Sequence, residues 1–467
     1  VVVWQGLFCV LKNMKLPKIN ITKKPTYIKF AHDVDFFALF QKIEQTFDTC
    51  FIFESLGEEA EFSRYSLIGF DPAHLVSARG NNFFFDGKKY PMKNPYAALS
   101  EIMPEQALAK NYAGGLIGYL SYEAVNYFEP AVAVKVHTLF DQFLFGVYTD
   151  GLILDKLTGE LFYFYYDNNR MTVIKELMKK KIKKSLDKTQ DKLTVSYLGD
   201  TLTKKEHAVI VEKVKAQIKK GNTFQCEVGF KTEFEITGDT LKIYEKLRVI
   251  NPSPFMYYLK FKNKKIIGAS PELLFSLRDG EMTTKPLAGT IKRGKDQKED
   301  KRLARILLND PKEKAEHTML VDMQRNDMGR VSQFGTVKVR DLMTVKKFSH
   351  VQHISSEVVG LIKKNETMFS ALASNFPMGT ICGTPKVETI KIIDQNEPEA
   401  RGPYGGGVGQ FGFNGECTFA LTLRSLFISD SYAYSQTSSG VVYDSVAEKE
   451  YTEITNKLAA MRKVLGV

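Results

Sequence analysis

Two stretches, far apart in the chain, put carboxylates on helix sides that ought to be apolar. Residues 311–330 read PKEKAEHTMLVDMQRNDMGR and predict a helix, with Pro311 at its start and Gly329 at its end. At about 100° per residue, Met319, Leu320 and Met323 form the apolar face, and Glu316 and Asp327 fall between Leu320 and Met323. An ionised carboxylate there is costly unless a cation or hydrogen-bond donors meet it. A salt bridge to a neighbouring helix is the plainer alternative. In the second stretch, Ser445, Val446, Ala447 and Glu448 read as a capping box that opens a helix running to about Val464. Ile454, Leu458, Met461 and Leu465 form its apolar stripe, and Glu450, Glu453 and Lys457 line one edge of it. Carboxylates so spaced present oxygens to a hard cation. Mg²⁺ is typically held by one or two carboxylates together with substrate oxygens, so two helices each lending one Glu would suffice. Spacing alone does not bring the helices together.

The elements that must position these groups alternate between β-like and helical patterns. Short β-like runs crowd residues 27–30, 51–53, 65–70, 82–85, 152–154 and 161–166, and a lysine-rich helical stretch follows over 173–188. From Lys204 an amphipathic helix leads into a continuous second half with no Pro/Ser linker. The strand–Gly-loop–helix rhythm of a parallel nucleotide-binding sheet is missing. Asn414-Gly415 between residues 408–413 and 419–428 signals a hairpin, and a turn at Asp430-Ser431 leads to a strand over 432–443. The predicted fold class is α+β, with large antiparallel β-sheets flanked by helices. Residues 1–25 are read as an extension outside the fold, the first 13 standing upstream of Met14; 26–190 form an N-terminal region and 200–467 a catalytic region.

Composition sets outer bounds. The 467 residues are 43% hydrophobic and 25% charged, as in an ordinary soluble domain. No stretch approaches the roughly 18–20 apolar residues of a membrane helix. Five scattered cysteines (Cys9, Cys50, Cys226, Cys382, Cys417) without a C-x-x-C pair suit neither a disulfide framework nor a zinc ribbon, and fit a reducing cytoplasm. Net charge is +11, with basic runs such as 179–184. No nucleic-acid motif accompanies the lysines, so a solvated helix face is expected rather than a nucleic-acid surface.

Ordered blocks then become recognisable: NPSPFMYYL (251–259), IIGASPELL (266–274), KPLAGT (285–290), DPKEKAEHTMLVDMQRND (310–327), FSHVQHISSEVVG (348–360), GTICGTPK (379–386), RGPYGGGVG (401–409) and DSVAEKEYTEITNK (444–457). With them the chain resembles the chorismate-utilising enzymes, and among these the anthranilate synthase large subunits. The resemblance implies that Glu316 and Glu453 ligate Mg²⁺, with Glu313 and Glu450 beside them, and that the metal anchors the ring carboxylate of chorismate. It implies that Glu272 is the general acid toward the departing ring hydroxyl and that His353 serves the later loss of pyruvate. From the residues alone His353 reads as a packing histidine. Gly289, Thr290, Thr380, Tyr404, Arg424 and Gly440 match positions that line or bind the substrate, and Lys457 and Ser438 stand among them. Ser438 departs from the family, where a glycine is usual, as do Ile291-Lys292, Gln410 and Thr418.

Two positions separate branches of that family. Isochorismate and salicylate synthases use a Lys to activate water; the matching residue here is Gln225, which cannot act as a base, so ammonia is the implied nucleophile. Aminodeoxychorismate synthases usually carry Lys where this chain has Ala288. The chain has no G-x-C-x-G segment, so the resemblance implies a separate glutamine amidotransferase subunit as partner. It further implies tryptophan feedback at Glu54 and Ser55, near Arg64-Tyr65-Ser66, with Asn251, Pro254, Phe255 and Met256. A strand end and a turn are the plainer alternative there. Beside the anthranilate reading stands aminodeoxychorismate synthesis on the folate route. Outside enzymes, the alternative is a silent tryptophan sensor or basic RNA-binding regulator; Glu272, Glu316, His353 and Glu453 together argue against it.

Overall fold

The computed structural model describes residues 15–31, 34–56, 64–180, 192–348 and 351–467. Two antiparallel sheets, each of twelve strands, organise them. The first runs in the order Thr26–Lys29, Glu160–Tyr165, Asp150–Asp155, Tyr65–Phe70, Thr49–Glu54, Phe255–Phe261, Lys264–Ser270, Ser425–Ser429, Tyr432–Val441, Gln225–Thr237 and Thr194–Asp200. The second runs Leu287–Lys292, Val351–Leu361, Glu281–Thr284, Leu273–Arg278, Cys417–Leu421, Gly407–Gly412, Gly115–Leu120, Phe143–Tyr148, His74–Arg79, Asn82–Phe85 and Lys88–Pro91. Gly383–Thr384 and Lys338–Lys347 complete them. The expected α+β class with large antiparallel sheets is what the chain adopts.

Period-two alternation sorts the side chains. Phe51 and Tyr257 join Phe145, Phe411 and Phe419 of the second sheet in one core. Their neighbours Cys50, Ile52 and Tyr258 point the other way, to a second core roofed by Phe40, Tyr244, Leu247 and Val464 of the helices. Strands from residues 26–190 and from 200–467 stand side by side in both sheets. Thr49–Glu54 pairs with Phe255–Phe261, and Gly115–Leu120 with Gly407–Gly412, so each half fills an edge that the other leaves open. Leu16 and Ile19 are buried, and the Ile19 N–H donates to the Ile102 carbonyl at 2.9 Å. Burying such side chains contributes roughly 1.5–3 kcal/mol each; residues 1–14 lie outside the described set.

Local differences follow from tertiary contacts. The helix expected over 173–188 is seen as Met171–Lys179, and 181–188, with most of the basic run 179–184, lie outside the described residues. The carboxylate helix Pro311–Val331 passes through Gly329 and ends at Ser332. The capping box at Ser445 does not form: the Ser445 hydroxyl accepts from the Val442 N–H at 3.0 Å, Glu448 pairs with Lys204, and the helix Ala447–Leu465 starts without a side-chain cap. The strand expected over 419–428 is two strands in different sheets. Arg424 sits at the break with φ +48°, a backbone position non-glycine residues rarely take. Cys50, Cys226, Cys382 and Cys417 are buried free thiols; Cys9 lies outside the described residues. Among the described residues no helix is long and apolar enough to cross a membrane.

Candidate active site

Asp310 accepts from the Lys312 and Glu313 N–H groups and, with Pro311 following, starts the carboxylate helix firmly. One turn on, Glu316 accepts from Gln225 Nε2 at 2.8 Å. Glu313 reaches Gly289, where a Cβ would lie 2.8 Å from Glu313 Oε2. From the C-terminal helix, Glu453 pairs with Lys457 at 2.8 Å, and Lys457 also donates to the Ser438 carbonyl at 2.8 Å. Glu450 is buried one turn earlier. The two helices do converge electrostatically. Burial raises the pKa of Glu316, and the charge of Glu453 adds to it. Glu313 is raised by burial, then by Glu316, with Glu453 contributing. Among the described residues, no three His, Cys, Asp or Glu side chains form a closed metal cage. Glu316 and Glu453 are held instead by Gln225 and Lys457. That donor set fits a hard cation held by two carboxylates and completed by substrate oxygens, the usual economy of a Mg²⁺ site.

The other carboxylate on the apolar face, Asp327, pairs with Lys386 at 2.5 Å. It is the salt bridge weighed for this helix, and it takes no part in the site.

Glu272 follows the end of strand Lys264–Ser270 and is buried. Its Oε1 accepts from Thr380 Oγ1 at 2.9 Å and from the Leu287 N–H at 3.1 Å. Burial outweighs both bonds and lifts its pKa to about 8, so the group carries a proton at neutral pH. Gly289, at φ +67°, forms a bulge opposite strand Val351–Leu361 and turns its carbonyl to His353 Nδ1 at 3.0 Å. A carbonyl can only accept, so Nδ1 bears the hydrogen and Nε2 carries the lone pair. Arg424 Nη2 stands 3.5 Å from that Nε2, and the Thr290 hydroxyl 3.1 Å from Nδ1. Burial, then Arg424, lowers the His353 pKa to about 3, leaving a neutral imidazole. Burial also lowers Arg424, with Glu272 acting in opposition.

The face of strand Gln225–Thr237 that carries Gln225 also carries Glu227, a residue the sequence reading passed over. Two residues apart, they share a side of the strand; that Gln-x-Glu alternation was the available signal. Ser438 Oγ donates to Glu227 Oε2 at 2.7 Å, and the Tyr404 hydroxyl lies 2.9 Å from Ser438 Oγ. Ser438 therefore links Tyr404 to Glu227 through its side chain. Burial raises the Glu227 pKa to about 7, Lys457 acting against it and Glu453 and Glu316 with it. Gly440 faces Glu227 across the ladder. Arg401, also overlooked, is fully buried: it pairs with Glu397 at 2.7 Å and donates to the carbonyls of Ile381 and Glu227 at 2.8 and 2.9 Å. The i, i+4 spacing of Glu397 and Arg401 was its only trace.

The segment expected to bind tryptophan forms a second locus. Met256 pairs with Glu54 in the ladder. Both Glu54 oxygens are already engaged, by Tyr244 at 2.9 Å and by Arg248 at 2.9 and 3.1 Å. An incoming amino group would have to share them. Ser55 Oγ and Asn251 Nδ2 are buried without a hydrogen-bond partner among the described residues. Pro254 and Phe255 line a cavity with Pro271 and Leu273, the chain neighbours of Glu272, and with Leu287, its peptide donor.

Residues 33–463 match the family model described as chorismate binding enzyme. The chain is 50% identical to anthranilate synthase component 1 of Leptospira biflexa, across 97% of this chain and 98% of that protein. It is 38% identical to the same-named protein of Methanothermobacter thermautotrophicus, over 91% of each. Among solved structures, anthranilate synthase component I of Streptococcus pneumoniae superposes with a TM-score of 0.78 at 30% identity, covering 86% of this chain and 93% of that one. The menaquinone-specific isochorismate synthase of Escherichia coli shares the fold, with a TM-score of 0.75 at 19% identity over 99% and 97%. A buried acid, two converging carboxylate helices and these likenesses agree: the chain belongs to the chorismate binding enzyme family, in the company of the anthranilate synthase component 1 proteins.

Proposed function

We propose that this chain aminates chorismate and expels pyruvate, yielding anthranilate for tryptophan synthesis. The observation that carries this reading is Glu272, a carboxyl kept protonated at neutral pH by burial and electrostatically coupled to Arg424 and Glu227. Glu227 in turn feels the charges of Lys457, Glu453 and Glu316, which supports grouping the acid and the carboxylate helices in one site. Arg424 and the backbone at Gly440 bind carboxylate of the substrate. Glu316 and Glu453 would hold Mg²⁺, which would supply charge neutralisation for the ring carboxylate. Glu272 gives its proton to the departing ring hydroxyl, which leaves as water while nitrogen bonds to the ring. The Nε2 lone pair of His353 then takes a ring proton, the C–O bond to the enolpyruvyl group breaks, and that group takes up a proton to leave as pyruvate while the ring becomes aromatic. Gln225 has no basic nitrogen and its amide is committed to Glu316 at 2.8 Å, which favours ammonia over activated water as nucleophile.

The described cysteines are buried thiols, Cys382 for one pushed up to about 11 by burial, and none is poised to attack glutamine. We assign ammonia delivery to a glutamine amidotransferase partner, and the reduced thiols suit a cytoplasmic setting. The unpartnered Ser55 hydroxyl and Asn251 amide support tryptophan as feedback ligand at the second locus.

The test is incubation with chorismate, Mg²⁺ and ammonium chloride, followed by fluorescence and product identification. Fluorescent anthranilate with stoichiometric pyruvate is the expected result. A 4-amino product without pyruvate would move the chain to the folate route, and no turnover at all would overturn the reading.

A further inference from the structure

One edge of strand Gln225–Thr237 is unfinished, and side chains stand where a strand would. Gly383–Thr384 pairs only with Gln225 and Cys226, and Thr194–Asp200 pairs only with Thr232–Thr237. Between them, among the described residues, the backbone is met by Arg401 and Glu397, both buried. Arg401 Nη2 donates to the Glu227 carbonyl at 2.9 Å, and Glu397 Oε1 accepts from the Gly229 N–H at 3.0 Å. The two side chains close on each other as a fork. Arg401 Nε donates to Glu397 Oε2 at 2.8 Å and Nη2 to Oε1 at 2.7 Å. The remaining arm, Nη1, donates to the Ile381 carbonyl at 2.8 Å. The guanidinium also lies over the rings of Tyr122 and Tyr404, 4.7 and 5.6 Å from their centroids.

An ion pair this deeply buried is costly to assemble, and finishing a sheet edge needs no charge. What the guanidinium adds is reach in several directions from one rigid plane. It ties together the strand that carries Glu227, the turn that carries Thr380, and its own turn leading to Tyr404. Thr380 immediately precedes Ile381 and donates to Glu272 Oε1 at 2.9 Å. The Leu287 N–H meets the same oxygen, so the proton of the acid is left to Oε2. We infer that Arg401, clamped by Glu397, is a positioning residue for the reaction: by holding the Ile381 carbonyl it keeps Thr380 on Glu272 Oε1 and so aims Oε2 at the departing hydroxyl. Arg401 acts through Thr380, not on the substrate. The inference rests on the anthranilate synthase reading and adds to it the group that aims the acid.

Arg401→Lys keeps the charge but has no planar fork, so it cannot hold Glu397 and both carbonyls at once. With chorismate, Mg²⁺ and ammonium chloride, kcat falls about 10- to 100-fold while the chorismate KM stays within about twofold of wild type. When Thr380 leaves Glu272, a hydrogen bond that favours the ionised carboxyl is lost. The alkaline limb of kcat, read at constant unprotonated ammonia, therefore moves to higher pH. Glu227 and Arg424, the charged groups that Glu272 also feels, keep their side chains. Thr380→Val closes the cycle: alone it gives the same limb shift, and added to Arg401→Lys it shifts the limb no further. Glu397→Asp draws the clamp back by one methylene and carries the test if Arg401→Lys does not fold. Three results would each overturn the inference and leave Arg401 a purely structural residue: a wild-type kcat in a folded Arg401→Lys chain of lower melting temperature, an alkaline limb that stays put or moves down, or additive effects of the two substitutions. A wild-type chain that makes no anthranilate would instead sink the parent reading.

Discussion

Glu54 and Glu272 are both buried carboxylates at the end of a strand, and the protein treats them in opposite ways. Glu54 receives an arginine and a tyrosine hydroxyl, so its charge is met in full. Glu272 receives one threonine hydroxyl and one peptide N–H, and burial then holds it protonated. A carboxylate whose charge is matched organises structure; one left short of donors is held ready to move a proton. The same contrast separates Asp327, closed by Lys386, from Glu316, which has only an amide.

The sharpest way to break the comparison is to neutralise both residues. Glu272→Gln removes the proton and keeps the shape, so kcat for anthranilate falls about 10²- to 10⁴-fold, while the melting temperature holds or rises. Arg248→Met leaves Glu54 buried with only Tyr244. Because Arg248 is partly exposed, the cost is about 2 kcal/mol rather than that of a sealed pair, read as a lower denaturant midpoint with kcat nearly unchanged. Should Glu272→Gln retain activity, or Arg248→Met abolish it without loss of stability, the distinction collapses.

Much of this contrast was open to inspection along the chain, and some of it was not. Helical periodicity placed Glu316 and Asp327 on one face; Asp327 is buried there, while Glu316 is half-buried. Periodicity could not say which carboxylate would meet a lysine, because Lys386 comes from a separate helix. Ser445 had the right spacing for a cap, but the Val442 N–H claimed its hydroxyl. The apolar run 419–428 gave no hint of a change of sheet, since strands on either side of Arg424 are equally apolar. Glu227 was hidden because a single charge in an alternating strand reads as a solvent-facing residue. Only the pairing with Gly440 and Ser438 shows that this face looks into the site.

The pH dependence sharpens the same point with a smaller effect. An acid with a pKa of about 8 is active below that pH and loses its proton above it. With the concentration of unprotonated ammonia held constant, kcat declines as pH rises through about 8, approaching tenfold per unit, and Glu272→Gln lacks this limb. Stability follows the same sign. The folded pKa lies above the ordinary carboxylate value, so this group's contribution is fully present at acid pH and is lost as pH rises through about 8. A flat profile in the wild-type chain would mean that Glu272 is already ionised and that its kinship to Glu54 is closer than its surroundings imply.

The smallest effect is expected where the two regions meet. Pro254 and Phe255 share a cavity with Pro271, Leu273 and Leu287, and Leu287 donates its N–H to Glu272 at 3.1 Å. Phe255 also pairs with Ser270, two residues before the acid. Tryptophan seated on Ser55 and Asn251 would thus press on the peptide groups that hold Glu272. Inhibition then requires the ligand to prefer one arrangement of that contact over the other. Asn251→Ala removes one neutral donor, which weakens tryptophan inhibition about fivefold and leaves the chorismate KM of the uninhibited enzyme within about twofold. Calorimetric titration with tryptophan alone separates binding from transmission. Weaker binding places the ligand at Asn251; unchanged binding with lost inhibition would assign Asn251 to the contact between the loci; no change in either would remove tryptophan from this segment.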